Sequence, residues 1–120
     1  MNTEFYKEQV VETVIEPMIS YMEDWDEDEC GYTREDVEAC KELMDTYLDA
    51  LDAMNEPTDA AIMEQVETLV LALNDLNEKV DYSMIETGER EAICEIIQES
   101  AIACGLQEYG DDITEEWREW

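Results

Sequence analysis

The sequence predicts an all-α fold, a small bundle of four to five helices with a kinked first helix, forming a single acidic domain over residues 1–120. Three observations carry this expectation. Ile, Leu, Val and Met recur at three- and four-residue steps along most of the chain, the period of a helix with one buried face. Only four Gly and two Pro interrupt that pattern. The one run that reads as a strand, Leu69 to Leu73, lacks turn signals at its ends.

The first helix is expected from about Thr3 to about Asp24. Its stripe is Phe5, Val10, Val11, Val14, Ile15, Met18, Ile19, Met22 and Trp25. Pro17 lies inside the stripe and predicts a kink or break at Glu16. A loop over 25–32 follows, with Gly31 as its only glycine. Thr33 is a suitable N-cap for a second helix, with Glu35 and Asp36 in its first turn, ending near Met54 before Asn55-Glu56-Pro57. Thr58 caps a third helix to about Lys79, with a stripe of Ile62, Val66, Leu69, Val70, Leu73 and Leu76. Residues 69–73 are apolar nearly all round, which predicts that this helix is the most buried. After a connection over 80–87, a fourth helix runs from about Gly88 to Cys104, with Ile93, Ile96, Ile97, Ala101 and Cys104 inward. Gly105-Leu106 reads as its C-terminal stop. A last short helix is expected from Asp112, docking through Ile113, Trp117 and Trp120.

Charge sets the functional classes. The chain holds 35 Asp and Glu against 6 Lys and Arg, with no His, for a net charge of −29. Such a surface repels phosphate backbones and anionic lipid, so neither nucleic acid nor membrane is an expected partner. A hydrophobic content of 45% argues for a folded core rather than an acidic disordered tail. Mutual repulsion is expected to raise carboxyl pKa values, so that stability falls as pH rises through that range. No apolar run approaches the length of a membrane span, and residues 1–24 do not read as a signal peptide. A cytoplasmic location with reduced thiols is the expectation.

The most regular pattern lies on the second helix. Glu35, Glu38, Glu42, Asp45, Asp49, Asp52 and Glu56 follow a 3-4-3-4-3-4 spacing, and Val37, Cys40, Met44, Tyr47, Leu51 and Met54 repeat it two residues later. Two residues turn a helix by about 200°, so one face is apolar and the opposite one is a row of carboxylates roughly 32 Å long. Glu4, Glu8, Glu12 and Glu16 form a similar ladder on the first helix. A row of this kind is either a solvated face or a surface shaped for a basic partner. Like charges at i,i+4 weaken a helix, and ordinary soluble faces mix both signs. The partner-binding candidates are Glu35, Glu38, Glu42, Asp45, Asp49 and Asp52, with Trp25 and Tyr32 as aromatic anchors.

Asp24, Asp26, Asp28 and Glu35 stand at positions 1, 3, 5 and 12 of a twelve-residue loop, resembling the oxygen ligands of an EF-hand. The turn glycine of position 6 is replaced by Glu29. No metal or other cofactor is expected; a cation-responsive loop over 24–35 is the alternative reading, and an acidic assembly subunit is another. Cys30 and Cys40, like Cys94 and Cys104, are ten residues apart, unlike zinc ligands. Cys40, Cys94 and Cys104 read as core residues and Cys30 as an exposed loop thiol. No catalytic motif is present, and without His no acid–base group of ordinary pKa near 7 exists, so no enzyme is expected.

The stretch Leu76-Asn-Glu-Lys-Val-Asp-Tyr-Ser-Met-Ile-Glu-Thr-Gly-Glu-Arg-Glu-Ala-Ile-Cys94, with the tail Asp112-Ile-Thr-Glu-Glu-Trp-Arg-Glu-Trp120, resembles small acidic bacterial proteins of uncharacterised function, some of them toxin-immunity-like. That resemblance implies a protein that inhibits or sequesters a basic protein, as an immunity protein or a nucleic-acid-mimicking inhibitor. It implies no functional residue.

Overall fold

Residues 1–25 and 30–120 are described by the computed structural model of the chain, and among them every regular element is helical. The first, α1, is one bent helix: an α segment Thr3–Val10, a π segment Val11–Ile15 and an α segment Glu16–Glu23. Pro17 causes the π segment. It has no N–H to give, and its ring crowds the carbonyl of Thr13 in a regular α-helix. The ladder ahead of it widens instead, and Glu16 N–H bonds to the Val11 carbonyl. Of the kink or break expected at Glu16, the kink is what forms: the helix bends and continues through the distortion. Val10, Val14, Ile15 and Met18 still reach the core.

Helix α2 spans Arg34–Asp52, α3 spans Asp59–Lys79 and α4 spans Thr87–Cys104. Thr33 starts α2 through a full capping box: its hydroxyl accepts from Asp36 N–H, and the Asp36 carboxylate accepts from Thr33 N–H at 2.9 Å. Helix α2 is more central than α3, because it packs against α1, α3 and α4, whereas α3 packs chiefly against α2 and α4. The reason lies in Leu71, which is 44% exposed. It is two residues from both Leu69 and Leu73, about 200° round the helix, so an all-apolar run cannot turn every side inward here. Helix α2 stops at Asp52, and Glu56 lies beyond it with φ +49°, so its carboxylate leaves the row predicted for it.

Two glycines are required by the backbone. Gly31 has φ +89°, and a Cβ there would lie 2.5 Å from Ser83 Oγ, so loop 30–32 and the connection after α3 touch at this point. Gly105, at φ +124°, ends α4, and Leu106 N–H closes the turn onto the Ala101 carbonyl at 3.0 Å with its side chain buried.

Buried polar groups hold the connections. Asn77, on the inner face of α3, accepts from Ile85 N–H at 3.1 Å and fixes the chain entering α4. Tyr47 of α2 donates to the Ile97 carbonyl of α4 at 3.0 Å and sits 3.1 Å from Ser100 Oγ. The predicted helix after Asp112 does not form; residues 113–117 make turns. The Asp112 carboxylate accepts from Thr114 N–H, and Asn74 of α3 takes the next backbone groups, donating to the Trp117 carbonyl at 2.7 Å and accepting from Glu119 N–H at 3.1 Å. The tail still docks, with Ile113 buried and Trp117 and Trp120 half-buried against the core.

Two carboxylates run against the expectation of raised values. Burial would lift Asp36, but the Thr33 N–H, the Lys79 ammonium at 3.0 Å and the Thr33 hydroxyl together hold it below its ordinary value. Asp112 is likewise held low against its burial by Thr114 and Arg118. Both groups therefore stabilise the fold above their unfolded pKa, near 3.8, and that stabilisation is lost as pH falls through the lower folded value.

Two outcomes follow from these contacts. Asn74→Ala strands the tail's backbone groups and should lower unfolding free energy by about 1–3 kcal/mol in urea titrations, where exposed Asp75→Ala should not. Asp36→Asn should be less stable than the parent at pH 6, with the gap closing as pH drops below about 3.8. A gap that widens in acid would contradict the assignment.

Candidate functional site

The carboxylate row of α2 faces outward because Val37, Cys40, Met44, Tyr47, Leu48 and Leu51 fix the opposite face in the core. Glu35, Glu38, Glu42, Asp49 and Asp52 are exposed, and Asp45 is half-buried. The row is not uniformly open. Lys41 reaches Asp45 at 2.6 Å along the same helix, and Lys7 crosses from α1 to Asp49 at 2.8 Å. One Asp45 oxygen, Oδ1, is buried with no hydrogen-bond partner.

Lys7 also shows how the two helices lie. The ladder Glu4, Glu8, Glu12 and Glu16 is exposed on α1, and with Val11, Lys7 and Lys41 it lines an open groove of about 280 Å³ where α1 meets α2. The carboxylates of the groove all come from α1, while α2 contributes Lys41 to its lining; the α2 row is tied to α1 by the Lys7–Asp49 pair. The Lys7 ammonium is held above its ordinary value by its hydrogen bond to Asp49, against a small opposing effect of burial, with the charges of Asp49, Asp45 and Glu4 adding to it. Each ladder is visible in the sequence, but their meeting is not, because it depends on which way the bent α1 packs.

The aromatic candidates separate. Trp25 is 47% exposed, whereas Tyr32 is 3% exposed and donates to the Met18 carbonyl at 3.4 Å. Tyr32 is therefore a core residue and not a surface anchor. The apolar groups packed around the loop pull it inward, and burial pushes its phenol well up, with Cys30 and Glu89 adding to the rise. Tyr21, which the sequence pattern did not single out, takes the outer position. Its ring stacks on Tyr32 at 6.2 Å and 12°, and meets Trp25 at 5.9 Å.

The loop with EF-hand-like spacing falls partly outside the described residues. Asp24 and Glu35 are exposed, Glu35 within the first turn of α2, while Asp26 and Asp28 lie beyond what is described. Among the described residues no three acidic or thiol side chains gather as metal ligands. A second acidic concavity of about 400 Å³ lies between α4 and the tail, lined by Glu91, Glu95, Glu99, Asp111, Asp112, Gln98 and Cys94. There Asp112 is already paired with Arg118 at 2.8 Å.

All four cysteines are free. Cys40 is buried as expected, but Cys30 is buried too, and Cys94 and Cys104 are only half-buried. Burial pushes the Cys40 thiol up to about 12. Cys94 and Cys104 lie on α4, next to Thr114 and the Leu51 carbonyl, each at 3.5 Å.

Compared with known protein families, with curated proteins and with solved structures, the chain shows no match. No helix among the described residues is long and apolar enough to cross a membrane.

Brief alkylation of the folded protein, read by mass spectrometry of peptides, should label Cys94 and Cys104 before Cys30 and Cys40. Early labelling of Cys30 would mean that its loop is not packed under Tyr32 as described.

Proposed function

We propose that this chain is a protein-binding module that inhibits or sequesters a basic protein, using the acidic groove between α1 and α2. The observation that carries the reading is the ladder Glu4 to Glu16, which lines the groove with only Lys7 and Lys41 as cations, together with the acidic row Glu35 to Asp52 on α2, the helix that α1 packs against. Ladders of one sign on a helix cost stability. Their placement together suits a surface that meets cationic side chains.

The mechanism is steric occlusion guided by charge. A field of one sign accelerates encounter with a basic surface and makes binding fall steeply with added salt. On contact, arginine or lysine side chains of the partner pair with exposed Glu8, Glu12, Glu38 and Glu42. Asp45 and Asp49 act differently, because Lys41 and Lys7 already neutralise them. The partner class is a toxin-like or nucleic-acid-binding protein whose basic site the module covers. The immunity-protein and nucleic-acid-mimic forms of this reading share one requirement, a basic active surface on the partner.

The test compares two triple reversals of equal charge. Glu12, Glu38 and Glu42 to Lys alters the groove, and Glu91, Glu95 and Glu99 to Lys alters the outer face of α4. Each reversal adds two charges, so both proteins move from −29 to −23. Both should keep the parent's helical circular dichroism, since all six positions are exposed. With immobilised protein at low salt, the groove reversal should lose the strongly basic proteins captured by the parent, while the α4 reversal retains them. Equal loss in both would leave only bulk charge at work.

A further inference from the structure

Beyond the groove, one exposed aromatic surface stands out. Tyr21 is 41% and Trp25 47% exposed, yet neither ring is loose: Tyr21 lies flat against buried Tyr32, and Trp25 leans on Tyr21. The stack is anchored at its inner end by the Tyr32 hydroxyl on the Met18 carbonyl. Its outer faces are held in place while still open to solvent.

The electrostatics around it have one sign. The rings sit at the C-terminal end of α1, where the helix dipole is negative. Asp24 caps that end and Glu23 precedes it. None of the four ion pairs among the described residues involves Glu23 or Asp24. Negative charge and π faces together favour a cation. Within that class the flat rings favour guanidinium, which stacks face to face and donates to carboxylates in its own plane, over the compact, strongly hydrated ammonium.

We propose that the Tyr21–Trp25 surface receives an arginine side chain of the basic protein partner, with the adjoining Asp24 carboxylate as an acceptor for its guanidinium. The inference rests on the acidic groove as the main contact, and adds to it a selective one. The groove attracts any basic surface, whereas the aromatic surface distinguishes arginine-bearing partners from lysine-bearing ones of equal charge.

The experiment titrates the protein with two synthetic peptides of equal length and charge, hexa-arginine and hexa-lysine, and follows the indole N–H signals by NMR. The Trp25 signal is assigned from Trp25→Leu. The expected result is a Trp25 shift with the arginine peptide and an affinity at least threefold above that of the lysine peptide. In Tyr21→Ala/Trp25→Ala that advantage should vanish while lysine-peptide binding stays within twofold of the parent. Trp25→Leu alone serves should the double variant unfold, and it should at least halve the advantage. The Glu12, Glu38 and Glu42 reversal should weaken both peptides and leave their ratio intact. Equal affinities in the parent, an unmoved Trp25 signal at saturation, or an advantage that survives loss of both rings would overturn the proposal. An intact ratio with no weakening by the reversal would instead count against the groove.

Discussion

The rest of the structure depends on one division of residues, the sorting of α2 into an apolar face and a carboxylate face. A chain with net charge −29 resists compaction, because every step toward a folded state brings carboxylates closer together. Helix α2 answers this by placing its six fully buried apolar side chains against three neighbouring helices, with its acids left in water. The few cations then go where the packing brings carboxylates closest. Lys7 ties α1 to α2, Lys79 ties the end of α3 to the start of α2, and Arg118 ties the tail to itself. Lys7 and Lys79 thus link helices, while Lys41 and Arg118 pair within their own segments.

Much of the fold is legible in the sequence because it follows from local rules. Thr33 and Thr58 cap helices as their side chains predict, and Gly105-Leu106 stops α4 where the pattern places it. What the sequence misses has non-local causes. Helix α2 outranks α3 as the central element because its stripe meets three helices, a fact of packing and not of hydrophobic content. In the tail, Asn74, more than forty residues away, takes the Glu119 N–H that a helix would give to the Glu115 carbonyl. A signal for this exists: Asn74 and Asn77 interrupt an apolar stripe, and a buried amide calls for backbone partners. Tyr32 and Cys30 read as loop residues from their neighbours, yet both are buried once Gly31 lets the chain turn tightly against Ser83.

The same division connects the fold to what the surface can do. A helix whose inner face is fixed cannot rotate its outer face away, so the carboxylates of α2 are held outward, while those of α1 line the groove beside Lys41. The π segment matters here too. It lets α1 continue past Pro17 while shifting the phase of its residues, so that Val14, Ile15 and Met18 stay inward as Glu12 and Glu16 stay outward. The second acidic concavity, beside Cys94, differs in that its Asp112 is spent on Arg118 and Thr114. In the proposed reading, chain-wide acidity supplies attraction in general, and the groove supplies position.

Hydrogen–deuterium exchange of the chain, alone and bound to a basic protein that it captures, tests the central claim most directly. The account predicts that binding slows exchange along Thr3–Val10, Val11–Ile15 and the first half of α2, and leaves α4 and residues 106–120 unchanged. Protection confined to α4 and the tail, with α1 and α2 exchanging as before, would contradict it.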